Sequence, residues 1–321
     1  MKHLFIVTSI ALFAATASGS VAAQPVCANK QVRLIVPTPA GGPSDVAARH
    51  LVQALSKSMG YTFVVENRPG ASGAVAAQAL MAAARDGCTL MWTLSSMSGL
   101  PALLTTPPYQ SLAELTPVSL VGHLTYAMFV HPDVPAKSVA EFVDYTRAYP
   151  DKTSYATGTL GDYMAGTKFL KTTGARSVRV PYKGAAQLMP DLITGRVQLY
   201  LGPISSGLPY VKEGKLRMLA VLLPKRSTLV PDVPTMSEVG YPAVALPTWQ
   251  AVFAPAGTSA TVIDQLSREI GSALAQSALR EQLELLAIQV EASTPQMLAT
   301  MAERDTKAWR AFVSEYAIPN E

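Results

Sequence analysis

Short runs of apolar residues recur along this chain. Each is followed by a glycine- and proline-rich break and then by a stretch whose apolar positions repeat every three to four residues. The series opens at "VRLIVPTPAGGPSDVAARHLVQALSKSMG". Its first five residues read as a buried strand, and the segment from Pro43 reads as a helix with Val46, His50, Leu51, Ala54 and Leu55 on one face. Gly60 stops that helix, because glycine reaches the left-handed conformation that ends helices. "TFVVENRPGASGAVAAQAL" repeats the layout with an alanine-rich helix, and "TLMWTLSSMSGLPALL" is a third instance. Strands alternating with helices predict parallel α/β layers.

A new block starts near Val118, where "SLVGHLTYAMFVHPDVP" reads as a strand pair. "SVAEFVDYTRAYP" is a helix with a capping box formed by Ser138 and Glu141. "TSYATGTLGDYMAGTKFLK" and "VRVPYKGAAQLMPDLITG" each give a strand, a glycine loop and a helix, and "VQLYLGP" and "LRMLAVL" close the block with two more strands. From about residue 222 the chain returns to the first unit. It ends in two long helices, about 261–284 (Ile263, Leu266, Ile270, Ala273 and Leu274 on one face) and about 295–315, with Thr294 as cap and Pro295 in the first position. The expected organisation is therefore an α/β fold with two lobes, each a mostly parallel sheet flanked by helices. Lobe 1 is built from residues 24–118 and 222–321, and lobe 2 from residues 119–221. Two chain crossings make a hinge and leave a cleft between the lobes.

The start of the chain modifies this picture. Lys2 and His3 precede an apolar stretch from Leu4 to about Ala15, and small residues end at Val21-Ala22-Ala23. That is the layout of a secretory signal over residues 1–23, with export to the periplasm as its consequence. Cys27 and Cys88 then sit in an oxidising compartment, each just before a strand of the first unit. A disulfide between them and two separate buried thiols are both open readings. Net charge is +4 with no Lys/Arg run longer than Lys225-Arg226, so the basic stripe of a nucleic-acid binder is absent.

The loops carry the chemistry. Amides at a helix start lack internal partners and carry partial positive charge; glycines let a ligand approach them and prolines stiffen the approach. Thr38 to Asp45, Gly70 to Gly73, Thr93 to Gly99, Thr157 to Asp162 and Lys183 to Ala185 all combine these features, and they come from both lobes. Facing sets of amides suit a small carboxylate. Asp45 works against that, since a carboxylate at a helix start competes with an anionic ligand; holding waters or an ammonium group, or simply complementing the helix dipole, are its alternative roles. Catalytic signatures are missing: there is no GxSxG elbow, SxxK pair, HExxH, phosphate loop or GxGxxG, and no CxxC for zinc. No cofactor and no metal site is expected. Trp92, Trp249 and Trp309 read first as core residues, with Trp249 the best candidate of the three to face the cleft.

"VRLIVPTPAGGPSDVAARHL", "VVENRPGASGAVAAQAL", "ARDGCTLMW", "LTPVSLVG", "VPYKGAAQLMPDLITGRVQL", "VKEGKLRMLAVLLPKRSTLVPDVPTMSEVG" and "APAGT" occur in this order over nearly the whole chain. Together they resemble the periplasmic substrate-binding proteins of tripartite tricarboxylate transporters, the Bordetella uptake gene (Bug) family. The resemblance implies a two-lobed receptor that closes on a small carboxylic acid and delivers it to inner-membrane permease subunits; a monomer is expected. A sensor receptor without its own permease, and an exported enzyme on the same scaffold, are the other readings. Carried over by residue, ligand contacts fall on Thr38, Ala40, Gly41 and Ser44 in the first loop, with Asp45 beside them. In the second lobe they fall on Thr157, Gly158 and Thr159, and on Tyr182, Lys183, Gly184 and Ala185. Two departures mark this chain: a loop after Tyr155 shortened by about two residues, with Tyr163 where the family usually has histidine, and Gly202 where aspartate is common. Both are expected to enlarge the cleft, with Tyr163 favouring an aromatic or bulky acid.

Overall fold

In the computed structural model the structure describes residues 26–318 apart from 224, 228 and 247, so the signal segment expected at 1–23 lies outside the described residues. The apolar runs form the strands expected of them. The chain begins β1 (Gln31–Val36), α1 (Pro43–Met59), β2 (Thr62–Asn67), α2 (Ala74–Met81), β3 (Thr89–Leu94), a single helical turn α3 (Leu100–Leu103) and β4 (Thr116–Leu124). It continues through β5 (Tyr126–Val130), α4 (Val139–Ala148), β6 (Ser154–Thr157), α5 (Leu160–Thr173), β7 (Val178–Pro181), α6 (Ala185–Ile193), β8 (Leu199–Pro203), α7 (Ile204–Lys212) and β9 (Arg217–Val221). It closes with β10 (Thr248–Ala254), α8 (Ala260–Leu274), α9 (Ser277–Leu285), β11 (Ile288–Val290) and α10 (Pro295–Glu315).

Two sheets result, one of six strands in the order β11-β4-β10-β3-β1-β2 and one of five in the order β7-β6-β8-β5-β9. The pairings β1–β2, β1–β3, β6–β7 and β6–β8 are parallel, and those of β4, β5 and β10 are antiparallel. The sheets are thus mixed, where mostly parallel ones were expected. Returning strands such as β10 run back through each sheet, and that direction cannot be read from apolar content alone.

The expected strand pair near Val118 also resolves differently. β4 belongs to the six-stranded sheet and β5 to the five-stranded one, so the chain crosses at Thr125 and not near 118. Thr125 binds one neighbour on each side: its amide donates to Ala287 and its carbonyl accepts from Ile204. The return crossing runs alongside, where Leu246 N donates to Leu222 O and Thr248 Oγ1 donates to Leu124 O at 2.9 Å.

The first helix buries Ser44, Asp45, Ala47, Ala48, Leu51, Val52 and Leu55, leaving Val46 and His50 at the margin of its inner face. Gly60 takes φ 66° and its amide returns to Ser56 O, the expected helix stop. The helix expected over 261–284 breaks at Ala275–Gln276 into α8 and α9. In an unbroken helix, Leu279 and Leu283 would lie roughly opposite Leu274 at 3.6 residues per turn; the break re-phases them into the core. Thr294 caps α10 through Met297 N as expected. Cys27 and Cys88 form a disulfide, settling the alternative left open by the sequence; their Cα atoms are 4.9 Å apart because β1 and β3 are parallel neighbours. No helix among the described residues is long and apolar enough to cross a membrane.

Candidate functional site

The carboxyl ends of β1 and β3 in one sheet, and of β6, β7 and β8 in the other, turn toward the interface of the two units. Ligands bind at such strand ends in open α/β sheets. A cavity of about 100 Å³ lies there, lined from the first lobe by Pro37, Thr38, Leu94 and the loop Gly70 to Gly73, and from the second by Thr157, Gly158, Thr159, Arg179, Tyr182 and Lys183. A smaller cavity of about 30 Å³ adjoins it and shares Thr38 and Thr159; Ser44, Asp162, Ala185 and Tyr200 are among its walls. A third hollow on the same interface includes Gly41, Gly42 and Ala185.

Of the residues expected at the site, Thr38, Thr157, Gly158, Thr159, Tyr182 and Lys183 meet in the larger cavity, and Ser44 and Ala185 in the smaller. Thr38, which lines both cavities, has its Oγ1 buried without a hydrogen-bond partner among the described residues. The loop Gly70 to Gly73 holds four consecutive residues at positive φ, from Gly70 (134°) through Ala71 (42°) and Ser72 (54°) to Gly73 (103°). Two of these are not glycine, so the loop stores backbone strain, a feature that clusters at ligand sites.

Both facing loops are braced by a carboxylate four residues after a glycine. In the first lobe Gly41 N donates to Asp45 Oδ2 at 2.9 Å, and Arg49 Nε and Asn67 Nδ2 donate to the same carboxylate. Burial alone would raise the Asp45 pKa, but the bonds from Arg49, Gly41 and Asn67 together hold it below the usual range. Asp45 is thus engaged within its own loop, in place of the waters or ammonium group considered from sequence. In the second lobe Gly158 N and Thr159 N donate to Asp162 Oδ2 at 2.8 and 3.0 Å, and Thr159 Oγ1 accepts from Asp162 N in a capping box. Asp162 is 1% exposed, and burial is the main reason its pKa rises to about 6.

Arg179 was missed from sequence. Its guanidinium lies 4.0 Å over the Tyr163 ring and its Nε donates to Thr157 Oγ1 at 3.1 Å. Nothing in "SVRVPYKG" singles out Arg179; only strand pairing between β6 and β7 brings it to Thr157. Asp162 is legible as the fourth member of Thr-x-x-Asp, a capping pattern beyond its place at the end of a glycine loop. Gln250 of β10 is another addition, its Nε2 donating to Ser44 Oγ at 2.9 Å with both side chains buried.

Several expectations are corrected. Tyr163 lines none of these cavities and instead lies under Arg179. Gly202 does not enlarge the cleft: a Cβ there would fall 2.0 Å from Tyr200 Cζ, so the Tyr200 ring already fills that space. Ala40 is exposed and lines none of the three cavities. The Tyr182 hydroxyl points to Asp191 at 2.8 Å, and burial together with that bond pushes its pKa up to about 12. Gly184 is a spacer, since a Cβ there would meet Pro39 Cδ of the other lobe at 2.8 Å. Trp249 is 2% exposed, with its indole N–H on Asp305 Oδ2 at 2.7 Å, a core residue of the first lobe and not a cleft wall. A separate groove of about 330 Å³ between α5 and α10 is lined mainly by apolar groups and lacks the facing loop amides.

The profile of the tripartite tricarboxylate transporter family receptors matches residues 47–318. Protein BugT of Bordetella pertussis is 34% identical over 315 residues, covering 95% of each chain. The periplasmic binding protein BugD superposes with a TM-score of 0.85 at 28% identity, over 91% of this chain and 99% of that one. R. palustris Rpa4515, solved with adipate, gives a TM-score of 0.86 at 28% identity over 91% and 98% of the two chains. A profile spanning most of the chain, a curated relative matched end to end and the shared two-lobed architecture place this protein in the tripartite tricarboxylate transporter receptor family, among the Bug-type solute-binding proteins.

Proposed function

We propose that this protein is a monomeric periplasmic receptor, exported by a signal over residues 1–23. It captures a small carboxylic acid between its lobes and delivers it to permease subunits of the tripartite tricarboxylate type. One observation carries the reading: the larger interlobe cavity is walled by loop backbone from both lobes and has Arg179 and Lys183 as its charged lining. Backbone amides and hydroxyls bind a carboxylate without a specialised side chain, and the two cations favour its charge. Arg179 is pre-positioned by Tyr163 and Thr157, which reduces the ordering cost of binding. The bound adipate of the related Rpa4515 supports the ligand class. With Tyr200 filling the space beside Gly202, a compact aliphatic acid fits better than the aromatic acid expected from sequence.

The test is a thermal-shift screen of the protein beginning at Gln24, stripped of ligand by unfolding and refolding. Mono-, di- and tricarboxylates, aromatic acids and amino acids are compared with sugars and neutral amides. A ligand at about a hundred times its Kd adds about 2.7 kcal/mol, a shift of several degrees. A response restricted to acids supports the reading; a response to neutral compounds alone sinks it.

A further inference from the structure

We infer that Asp162 is a proton-linked positioning residue: it holds the Gly158 and Thr159 amides in place, and a carboxylate binding beside them draws a proton onto it. This rests on the carboxylate reading above and extends it. The two lobes use the same brace with different electrostatics. Asp45 has a cation in contact, Arg49 Nε at 3.0 Å, and an amide donor in Asn67. The hydrogen bonds to Asp162 come from two backbone amides, with no cation among them. Its Oδ1 is buried without a hydrogen-bond partner among the described residues.

The groups packed around Asp162 are polar or phenolic. Thr159 caps it from its own loop. The Tyr126 hydroxyl of β5 approaches without completing a bond of normal geometry, and Tyr200 of β8 faces it across the small cavity. From the first lobe that cavity receives Thr38, Pro39, Gly42, Pro43 and Ser44, none of them ionisable. Arg179 and Lys183 line the larger neighbour cavity. Thr38 and Thr159 line both cavities, so one layer of residues separates an anionic ligand from the Asp162 carboxylate. Two like charges at that spacing in a partly dry interface cannot both persist without cost, and burial already pushes the Asp162 pKa up to about 6. Protonation removes its charge while the other carboxyl oxygen still accepts the two amides. Affinity for the anion therefore rises as pH falls, and the ligand raises the Asp162 pKa by the same factor.

The experiment is calorimetric titration with adipate between about pH 8 and about pH 5. It is run on wild type and Asp162→Asn, in buffers of different ionisation heat. Wild type should take up a proton on binding and tighten by up to about tenfold per pH unit. Asp162→Asn keeps an oxygen for the amides and should lose both effects. Protonation of adipate itself is common to the two proteins and cancels in the comparison. Wild-type binding without proton uptake, or an equal pH slope in the variant, overturns the inference while leaving the carboxylate reading intact. Failure of adipate and of every acid in the panel to bind at any pH overturns both. Should the variant not fold, carbon-13 titration of the Asp162 carboxyl in wild type decides. A midpoint that rises with adipate supports the inference, and an ordinary carboxylate midpoint that adipate does not move overturns it.

Discussion

Gly184 in the second lobe lies directly against the ring of Pro39 in the first, so close that a Cβ on the glycine would sit 2.8 Å from Pro39 Cδ. Gly158 stands behind it, with its own missing Cβ 2.7 Å from Gly184 Cα. The backbone of Gly184 is extended and open to any residue, so space between the lobes is what excludes a side chain. Proline, glycine and glycine thus form a three-layer contact between the lobes.

Gly184→Ala should leave folding nearly unchanged, because the added methyl meets no atom of its own lobe within contact distance. It should oppose closure. Overpacking of this size costs about 1–3 kcal/mol, so Kd for the acid should weaken roughly five- to hundredfold. Calorimetry and denaturant melts on the same variant check this; equal losses in both would indicate a folding defect and not a closure defect.

Tyr163 should act on affinity through Arg179. Removing the ring in Tyr163→Ala releases the guanidinium 4.0 Å above it, and exposed to partly desolvated cation–π contacts are worth about 0.5–2 kcal/mol. Kd should rise by roughly two- to thirtyfold. Tyr163→Phe keeps the ring face and should stay near wild type. A double-mutant cycle with Arg179→Met tests whether the two residues act together.

The two loop carboxylates should give opposite pH signatures in stability. Asp45 has a lowered pKa, so its contribution is present above the unfolded value of 3.8 and is lost as pH falls through its folded value. Asp162 has a raised pKa of about 6, so the native state holds the extra proton between 3.8 and about 6. Stability then falls as pH rises through that window, by about 3 kcal/mol in total. Urea melts of wild type, Asp45→Asn and Asp162→Asn across this range should show the first variant losing stability chiefly at the neutral end. The penalty that wild type accumulates between 3.8 and about 6, and carries in full above that, should be absent from Asp162→Asn.

The disulfide closes a loop of 61 residues. Replacing Cys27 and Cys88 with serine should cost up to about 4 kcal/mol on the chain-entropy account. Because the bond sits at the ends of β1 and β3 away from their cleft loops, acid affinity at a temperature where the variant is folded should change little. A thermal melt and a calorimetric titration check the two halves of this expectation.

Local patterning along the chain was enough to set the alternation of strand, loop and helix and the two-lobed plan. It also placed glycine- and proline-rich loops at helix starts in both lobes, because each of these follows from local periodicity, glycine and proline placement and helix capping. Thr38, Thr157, Gly158 and Thr159 were legible for that reason. Strand direction, the crossing at Thr125 and the break at Ala275–Gln276 were not, since they depend on which sheet edge and which buried face each segment meets. Lys183 was legible in its loop, whereas the surroundings of the other charged groups at the site are set by the fold. Arg179 reaches Thr157 and Tyr163 only through the pairing of β6 with β7, and the Tyr200 ring takes the space that Gly202 had seemed to leave open. Asp45 and Asp162 look alike in sequence as acids near helix starts. They differ because folding sets Arg49 and Asn67 beside one and only amides and phenols beside the other, and a buried carboxylate takes its chemistry from its neighbours.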